Sequence, residues 1–263
     1  MQQRSVLWSD LRWPELKELA TPETIVIVPV ASIEQHGPHL PVITDTMLAR
    51  EVAKCAAEIV IEKTPVLVTE CIWTGLSEHH MKIGGTFTLD LTTFLAVIRG
   101  VVQSLHRQGF ERVFLMNAHG GNIAALQTVV EELTREFGMR LVTATYWTLG
   151  ARALGAHLER QKGIRHACEA ETSMMMAIAP DLVDPGRFDE AACPDPRDEA
   201  DVDMDGSYRW ISFADKTPSG ALGDPRVSSA DKGRLLLDTA ARSVAAKLLD
   251  PTFWPGDRQR AEV

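Results

Sequence analysis

Thr24-Ile-Val-Ile-Val-Pro-Val30 is the stretch that decides the fold class, because it is β-branched and almost continuously apolar. That composition is typical of a parallel strand buried on both faces. The loop that follows it, Ser32-Ile-Glu-Gln-His-Gly-Pro-His-Leu-Pro-Val-Ile-Thr-Asp45, is polar and rich in potential metal ligands. These ligands are Glu34, His36, His39 and Asp45.

Two prolines stiffen this loop. Pro38 and Pro41 each fix their own φ and restrict the preceding residue, so the ligands would follow a defined path. Carboxylate and imidazole donors without a thiolate suit divalent Zn, Mn or Fe and argue against a structural zinc clip. An ordinary solvated loop is the alternative, since polar composition is common in loops.

Composition restricts the protein's class. With 263 residues and 45% apolar content, we expect a single domain over residues 1–263. A net charge of −9 disfavours nucleic acid and anionic membranes as partners, because both would require a basic face. The N-terminus lacks a signal peptide's apolar region and no stretch is long enough to span a membrane, so we expect a cytoplasmic protein. The scattered cysteines indicate reduced, mostly buried thiols: Cys55, Cys71, Cys168 and Cys193.

The pattern along the chain predicts an α/β fold, because apolar runs alternate with longer amphipathic stretches from residue 24 to about 180. Asp90 and Asn122 stand where side-chain caps would start helices. The predicted strands are 24–31, 65–70, 111–117 and 139–146. The predicted helices are 45–62, 91–108, 122–137, one beginning near residue 167, and 230–249.

A long loop region is predicted at about residues 180–230. It contains Asp-Pro and Pro-Asp-Pro sequences and an acidic run from Asp198 to Asp205. Such loops commonly act as lids or subunit contacts, and a merely mobile solvated excursion is the alternative.

Three further polar clusters follow predicted strands. Asn117-Ala-His-Gly-Gly-Asn122 places His119 beside glycines that let backbone approach a ligand, although an ordinary loop histidine fits too. In His166-Ala-Cys-Glu-Ala-Glu-Thr-Ser173, Glu169 and Glu171 cannot both face one side of a helix.

The remaining cluster is Gly75-Leu-Ser-Glu-His-His-Met-Lys-Ile-Gly-Gly-Thr-Phe-Thr88. Ser77 and His80 are predicted to line a substrate pocket. Glu78 and His79 are expected to face solvent, and Lys82 fits either surface or site. Parallel strands bring their carboxyl ends to one edge of a sheet, where ligand sites form.

The motifs E-Q-H-G-P-H-L-P-x-x-T-D, N-x-H-G-G-N and H-A-x-E-x-E-T-S, in this order, resemble those of the creatininase family. The resemblance implies a three-layer α/β/α sandwich with a mostly parallel sheet and a homo-oligomer, often a hexamer assembled from dimers. It also implies two divalent metal ions per chain, Zn with Zn, Mn or Fe. Glu34 and His119 would bind one ion, His36 and Glu169 the other, and Asp45 would bridge them.

One position departs from creatininase itself, which carries a metal-binding glutamate where this chain has Gly121. Other family members suggest that Glu169 replaces this missing metal ligand. The departure weakens the assignment of creatinine as the substrate. The resemblance also assigns His166 as proton donor and Trp147 as a wall of the substrate pocket. As alternatives, His166 could simply be a residue at the start of a helix, and Trp147 could be a core residue.

The implied function is metal-dependent amidohydrolysis: a water activated by two metal ions would cleave a C–N bond of a small cyclic amide or related nitrogenous metabolite. Formamide deformylation, trimming of a peptide-derived cofactor, hydrolysis of a cyclic ketone and a non-catalytic metal-binding scaffold remain alternatives. A serine hydrolase is disfavoured because the chain has no G-x-S-x-G elbow. It also lacks the glycine-rich nucleotide-binding motifs.

Overall fold

Four parallel strands form one sheet in the order β2-β1-β3-β4 in the computed structural model, which describes residues 3–193 and 208–256. Every residue of β1 is buried, as its unbroken apolar sequence predicts. Its neighbours on the two sides are β2 and β3, so β1 is an interior strand. The strands are β1 Ile25–Val30, β2 Val66–Val68, β3 Arg112–Asn117 and β4 Arg140–Thr145.

Helices cover both faces of this sheet and complete the predicted three-layer α/β/α fold. The described helices are α1 Trp13–Leu19, α2 Thr44–Val60, α3 Leu91–Gln108, α4 Ile123–Phe137, α5 Tyr146–Leu149, α6 Ala151–Gly155, α7 Glu169–Ile178, α8 Phe188–Ala191, α9 Phe213–Lys216 and α10 Ala230–Leu248.

Alternate residues of the strands supply the two apolar cores. Ile25 and Ile27 pack on one face with side chains from α2, α7 and α10. Val26 and Val28 pack on the other face with side chains from α3 and α4. This two-sided burial explains why β1 is apolar throughout instead of alternating between apolar and polar residues.

The predicted helix starts were partly right. Asp90 caps α3 by accepting a hydrogen bond from the backbone N–H of Thr93 at 3.0 Å. The cap prediction for Asn122 is wrong: its side chain accepts from Leu76 N and donates to Ala31 O. Asn122 therefore ties together the loops after two strands instead of starting α4.

The predicted loop region at 180–230 contains short helical turns in its described parts. The 3-10 turns Pro180–Leu182 and Pro185–Arg187 precede α8, and Pro225–Val227 follows α9. The acidic run from Asp198 to Asp205 lies outside the described residues. Within 3–193 and 208–256, no helix combines the length and apolarity needed to cross a bilayer.

The strand order creates a switch point between β1 and β3, because the chain moves outward from β1 to β2 and then returns to the other side. Ligand sites in open α/β sheets form at the carboxyl ends of strands beside such a point. The loops after β1 and β3 are the two that carry Glu34 and His119.

Candidate metal centre

Buried carboxylates and imidazoles meet at this switch point. Nδ1 of His119 lies 2.8 Å from Oε2 of Glu34 and 3.3 Å from Oδ2 of Asp45. Nε2 of His36 lies 3.1 Å from Oδ1 of Asp45 and 3.9 Å from Oε2 of Glu171. The two oxygens of Asp45 thus face different histidines, and its carboxylate connects two halves of one cluster.

The histidines in this cluster are oriented by the backbone. Each of three imidazoles directs its outer nitrogen to a carbonyl oxygen, which leaves the other nitrogen facing the carboxylates. Metal-binding histidines are normally held in this way, because the outer hydrogen bond sets the tautomer. The pairs are His36 Nδ1 with Glu34 O at 3.1 Å, His119 Nε2 with Leu76 O at 3.0 Å, and His166 Nε2 with Gln35 O at 2.7 Å.

The pKa values in the cluster indicate an excess of buried negative charge that a cation would neutralise. Burial disfavours the imidazolium of His36, but Asp45 raises its pKa to about 10. Burial raises the pKa of Glu171 to about 8; His36 opposes this rise and Asp45 adds to it. Oδ2 of Asp45 is buried, and no described residue forms a well-directed hydrogen bond with it, although Nδ1 of His119 lies 3.3 Å away. An orphaned carboxylate oxygen among imidazole nitrogens fits divalent cations, which take carboxylate and imidazole donors together.

Glu169, which was predicted to bind a metal, does not join this cluster. Its fully buried carboxylate lies 2.6 Å from Nζ of Lys232 on α10. It also accepts hydrogen bonds from the backbone N–H groups of Glu159 and Arg160. All its acceptor capacity is used in joining α7, α10 and the preceding loop, and its partner Lys232 has no recognisable sequence signal.

Glu171 occupies the position expected of Glu169, because α7 begins only at Glu169 and its first turn directs residue 171 inward. Just before the helix, Ala167 adopts a left-handed conformation with φ of +51°. Its backbone N–H donates to the carboxylate of Glu171 at 2.5 Å. On this side of the cluster, ligand atoms of His36, Asp45 and Glu171 lie close enough together to hold one metal ion.

The two predicted pocket residues that follow β2 have different positions. Ser77 is buried below the cavity, where its hydroxyl donates to Oε2 of Glu34 at 3.2 Å and lies 2.5 Å from Oγ of Ser32. It therefore supports Glu34 instead of lining the pocket as predicted. His80 does line the cavity, and its Nδ1 accepts from the amide of Gln35 at 2.8 Å.

Gln35 is an organising residue that sequence reasoning missed, although it stands between Glu34 and His36 in the first motif. Its amide nitrogen donates to Nδ1 of His80 at 2.8 Å and to the carbonyl of Gly220 at 2.9 Å. Burial, more than any neighbouring charge, lowers the pKa of His80 well below its usual range.

A cavity of about 670 Å³ opens onto the cluster. Trp147 lies in its wall, as predicted, and His79 lines it too, although His79 was expected to face solvent. The long loop and α9 supply further lining residues that no motif indicated, because their periodicity is irregular. These are Tyr208, Trp210, Ile211, Phe213 and Lys216.

His39 is the one ligand candidate of the first loop that lies outside the cluster. Its Nε2 is 2.8 Å from Oγ1 of Thr172 on α7, and its ring meets Phe188 edge to face. Burial lowers the pKa of His39 to about 4. It packs the loop against α7 as a neutral side chain.

Comparison with known proteins agrees with this arrangement: a profile of the creatininase family, described as creatinine amidohydrolase, matches residues 9–248. The chain belongs to the creatininase family. A creatinine amidohydrolase of Pseudomonas putida is 27% identical, over 92% of this chain and 95% of that protein. A mycofactocin precursor peptide peptidase of Mycobacterium ulcerans is 30% identical, over 85% and 87%. These creatininase-family relatives are hydrolases, and their names specify different substrates.

The solved structures of the creatininase family share this fold. One of them, a Zn-Zn form of a creatininase mutant, superposes with a TM-score of 0.75 at 25% identity and covers 92% of this chain and 96% of its own. The structural agreement confirms the creatininase-like α/β/α architecture.

Proposed function

We propose that this chain is a metal-dependent amidohydrolase that cleaves a C–N bond of a small amide. The observation that carries the proposal is the meeting of Glu34, Asp45 and Glu171 with inward-facing nitrogens of His36 and His119 at the switch point. Such a set has little structural value without cations, because buried like charges repel each other.

Two divalent ions fit this donor set. Glu34, His119 and Asp45 would hold one, and His36, Asp45 and Glu171 the other, with Asp45 shared between them. Imidazole and carboxylate donors accept Zn with Zn, Mn or Fe. When bound, two such cations would supply a nucleophilic water at neutral pH and would polarise a substrate carbonyl.

His166 is the proton carrier in this proposal. Its Nε2 donates to the carbonyl of Gln35, so its Nδ1 faces Glu34 at 3.3 Å. Burial keeps the pKa of His166 well below its usual range, and the nearby charge of His36 lowers it further. The neutral ring can accept a proton at Nδ1 as water attacks and return it to the leaving nitrogen, a general acid–base role typically worth about 10²–10⁴ in rate.

The cavity supports a substrate larger than a bare five-membered ring. Its volume of about 670 Å³ lies in the usual range for small-molecule sites. Trp147 and Phe213 give it aromatic walls, and Arg165 and Lys216 supply positive charge. A cyclic amide with a polar or anionic substituent fits this lining.

The end of a short peptide is the second candidate substrate, because the cavity accommodates side chains and the relative from Mycobacterium ulcerans is a peptidase. Formamide deformylation and cyclic-ketone hydrolysis use the same attack of water on a carbonyl and belong to the same screen. The position of His166 disfavours the non-catalytic scaffold, since a protein that only binds metal needs no neutral imidazole at the cavity.

We also propose that the protein acts in the cytoplasm as a homo-oligomer. Large apolar side chains stay exposed on the surface, and two of them, Trp73 and Phe87, meet edge to face with ring centroids 6.0 Å apart. Exposed apolar patches of this kind commonly mark subunit contacts.

The experiment that tests the function measures metal content on protein purified without chelator and screens cyclic amides, formamides and short peptides for hydrolysis. About two transition metals per chain, with turnover that chelator abolishes and added Zn or Mn restores, would support the proposal. Protein that stays folded, metal-free and inactive after metal addition would refute it.

A further inference from the structure

His79 holds an unusual position for a residue with no assigned role. It lies in the 3-10 turn Glu78–His80, and its ring stacks on that of His119 with planes 16° apart and centroids separated by 5.6 Å. Ligand atoms of Glu34, His79 and His119 all lie within 4.8 Å of one another. That spacing is compatible with side chains that share one metal ion.

The imidazole of His79 is otherwise uncommitted. Among the described residues, none forms a hydrogen bond or ion pair with its ring nitrogens, although the ring is mostly removed from solvent. A largely buried imidazole without such a partner would lose hydrogen bonds that water makes in the unfolded chain. A metal ion would satisfy one of its nitrogens.

Gly121 leaves room for this ring. A Cβ at Gly121 would lie 2.8 Å from Cε1 of His79, 2.5 Å from Nε2 of His119 and 2.1 Å from the carbonyl oxygen of Leu76. Any side chain at position 121 would therefore force the Leu76 carbonyl and both imidazoles to move. Because Gly121 has no side chain, the ring of His79 can lie beside that of His119.

We propose that His79 is a third side-chain ligand of the metal ion held by Glu34 and His119. This assignment rests on the metal centre proposed above but not on the identity of the substrate. The Glu34 half of the centre then has two imidazoles, whereas the His36 half has one. With Asp45 shared, the Glu34 half is closed by four protein ligands, which is typical of a tightly held zinc ion.

The two halves of the centre should consequently bind metal unequally. Imidazole-rich sites suit Zn and Co, whereas sites richer in carboxylate accept Mn more readily. The first equivalent of Co²⁺ is expected at the Glu34 half with low coordination number and intense visible absorption. The second is expected at the His36 half with weaker affinity.

The test is titration of the metal-free full-length protein with Co²⁺, followed by visible absorption and by competition with a chelator. The variants are His79→Gln and His79→Asp. His106→Gln is the matched control, because His106 stacks on Phe137 at the C-terminal ends of α3 and α4 and does not line the cavity. Wild type should bind two ions in two resolvable steps.

His79→Gln should weaken only the tighter step, by about 100-fold or more, because even outer-shell partners of a metal are worth roughly 10–100-fold. Its visible bands should change in position and intensity. His79→Asp, which keeps a donor, should recover part of the affinity, and His106→Gln should match wild type.

Two results would overturn the assignment while leaving the metal centre intact. One is His79→Gln with both Co²⁺ affinities and the spectrum unchanged, including the case in which only KM for a substrate rises. The other is an equal loss at both steps that His79→Asp does not recover, which is the behaviour of a structural residue. Wild-type protein that binds no Co²⁺ would refute the centre itself.

Discussion

Asp45 is the residue on which both halves of the cluster depend, since its two oxygens face His36 and His119 separately. We expect Asp45→Ala to reduce metal content from about two ions per chain to near zero, because each half loses a donor and the link between them. Elemental analysis of the purified variant measures this. Asp238→Ala, an exposed change on α10, serves as the control.

Retention of two ions by Asp45→Ala would contradict the bridging role. A single retained ion would show that one half is complete without the shared carboxylate.

His166 differs from Asp45 because its predicted contribution is to rate. We expect His166→Ala to keep its metal content while turnover falls by about 10²–10⁴, the usual value of a general acid–base group. Steady-state kinetics on any hydrolysed amide measures the loss. The matched control is His157→Ala, since His157 binds Thr239 away from the cavity.

An unchanged rate in His166→Ala would move the proton-carrying role to another residue. His80 is the next candidate, because it also lines the cavity.

At the scale of secondary-structure elements, the start of α7 decides which glutamate serves the site. We expect Glu171→Gln to lose about one metal ion per chain with little change in the stability of metal-free protein. We expect Glu169→Gln to keep both ions but to lose roughly 1–3 kcal/mol of stability, because Lys232 would lose its buried counter-charge and keep only the exposed carboxylate of Glu159. Elemental analysis and urea unfolding of the two variants measure both effects.

The reverse pattern, with metal lost in Glu169→Gln and stability lost in Glu171→Gln, would restore the original sequence-based assignment. The two variants act as controls for each other, because they make the same substitution on the same helix.

The same helix shows where sequence reasoning ended. The four strands, the main helices and the positions of Glu34, His36, Asp45 and His119 followed from apolar runs and the loops after them. The choice between Glu169 and Glu171 did not, because it depends on the left-handed Ala167 and on Lys232, which lies far along the chain. Helical periodicity shows that two side chains diverge, but it does not show which one faces the site.

At the scale of the whole molecule, the loop after β1 is packed onto α7 by a neutral His39, which makes the stability of metal-free protein depend on pH. The pKa of His39 is about 4 in the folded chain, because of burial, and about 6.5 when unfolded. The unfolded chain therefore binds more protons between these values, so the contribution of His39 is full above pH 6.5 and is lost as pH falls toward 4.

We therefore compare the free energy of unfolding of wild type with that of His39→Gln. Relative to the variant, the value for wild type should fall by about 3 kcal/mol when the pH is lowered from 7 to 4. Urea unfolding of chelator-treated protein at several pH values measures it. Other titrating groups, including Glu171, occur in both proteins and cancel in the difference. A difference that stays constant across this range would contradict the burial of a neutral His39.

The order in which the ligands occur along the chain has a consequence for biosynthesis. Glu34, His36 and Asp45 are made early, whereas Glu171 and the Lys232 that anchors its neighbour Glu169 follow only after most of the domain. At typical elongation rates the early ligands wait on the order of ten seconds for the later ones. A ribosome-bound chain that ends before α7 has only an incomplete His36 half, so full metal loading belongs to the released, folded protein.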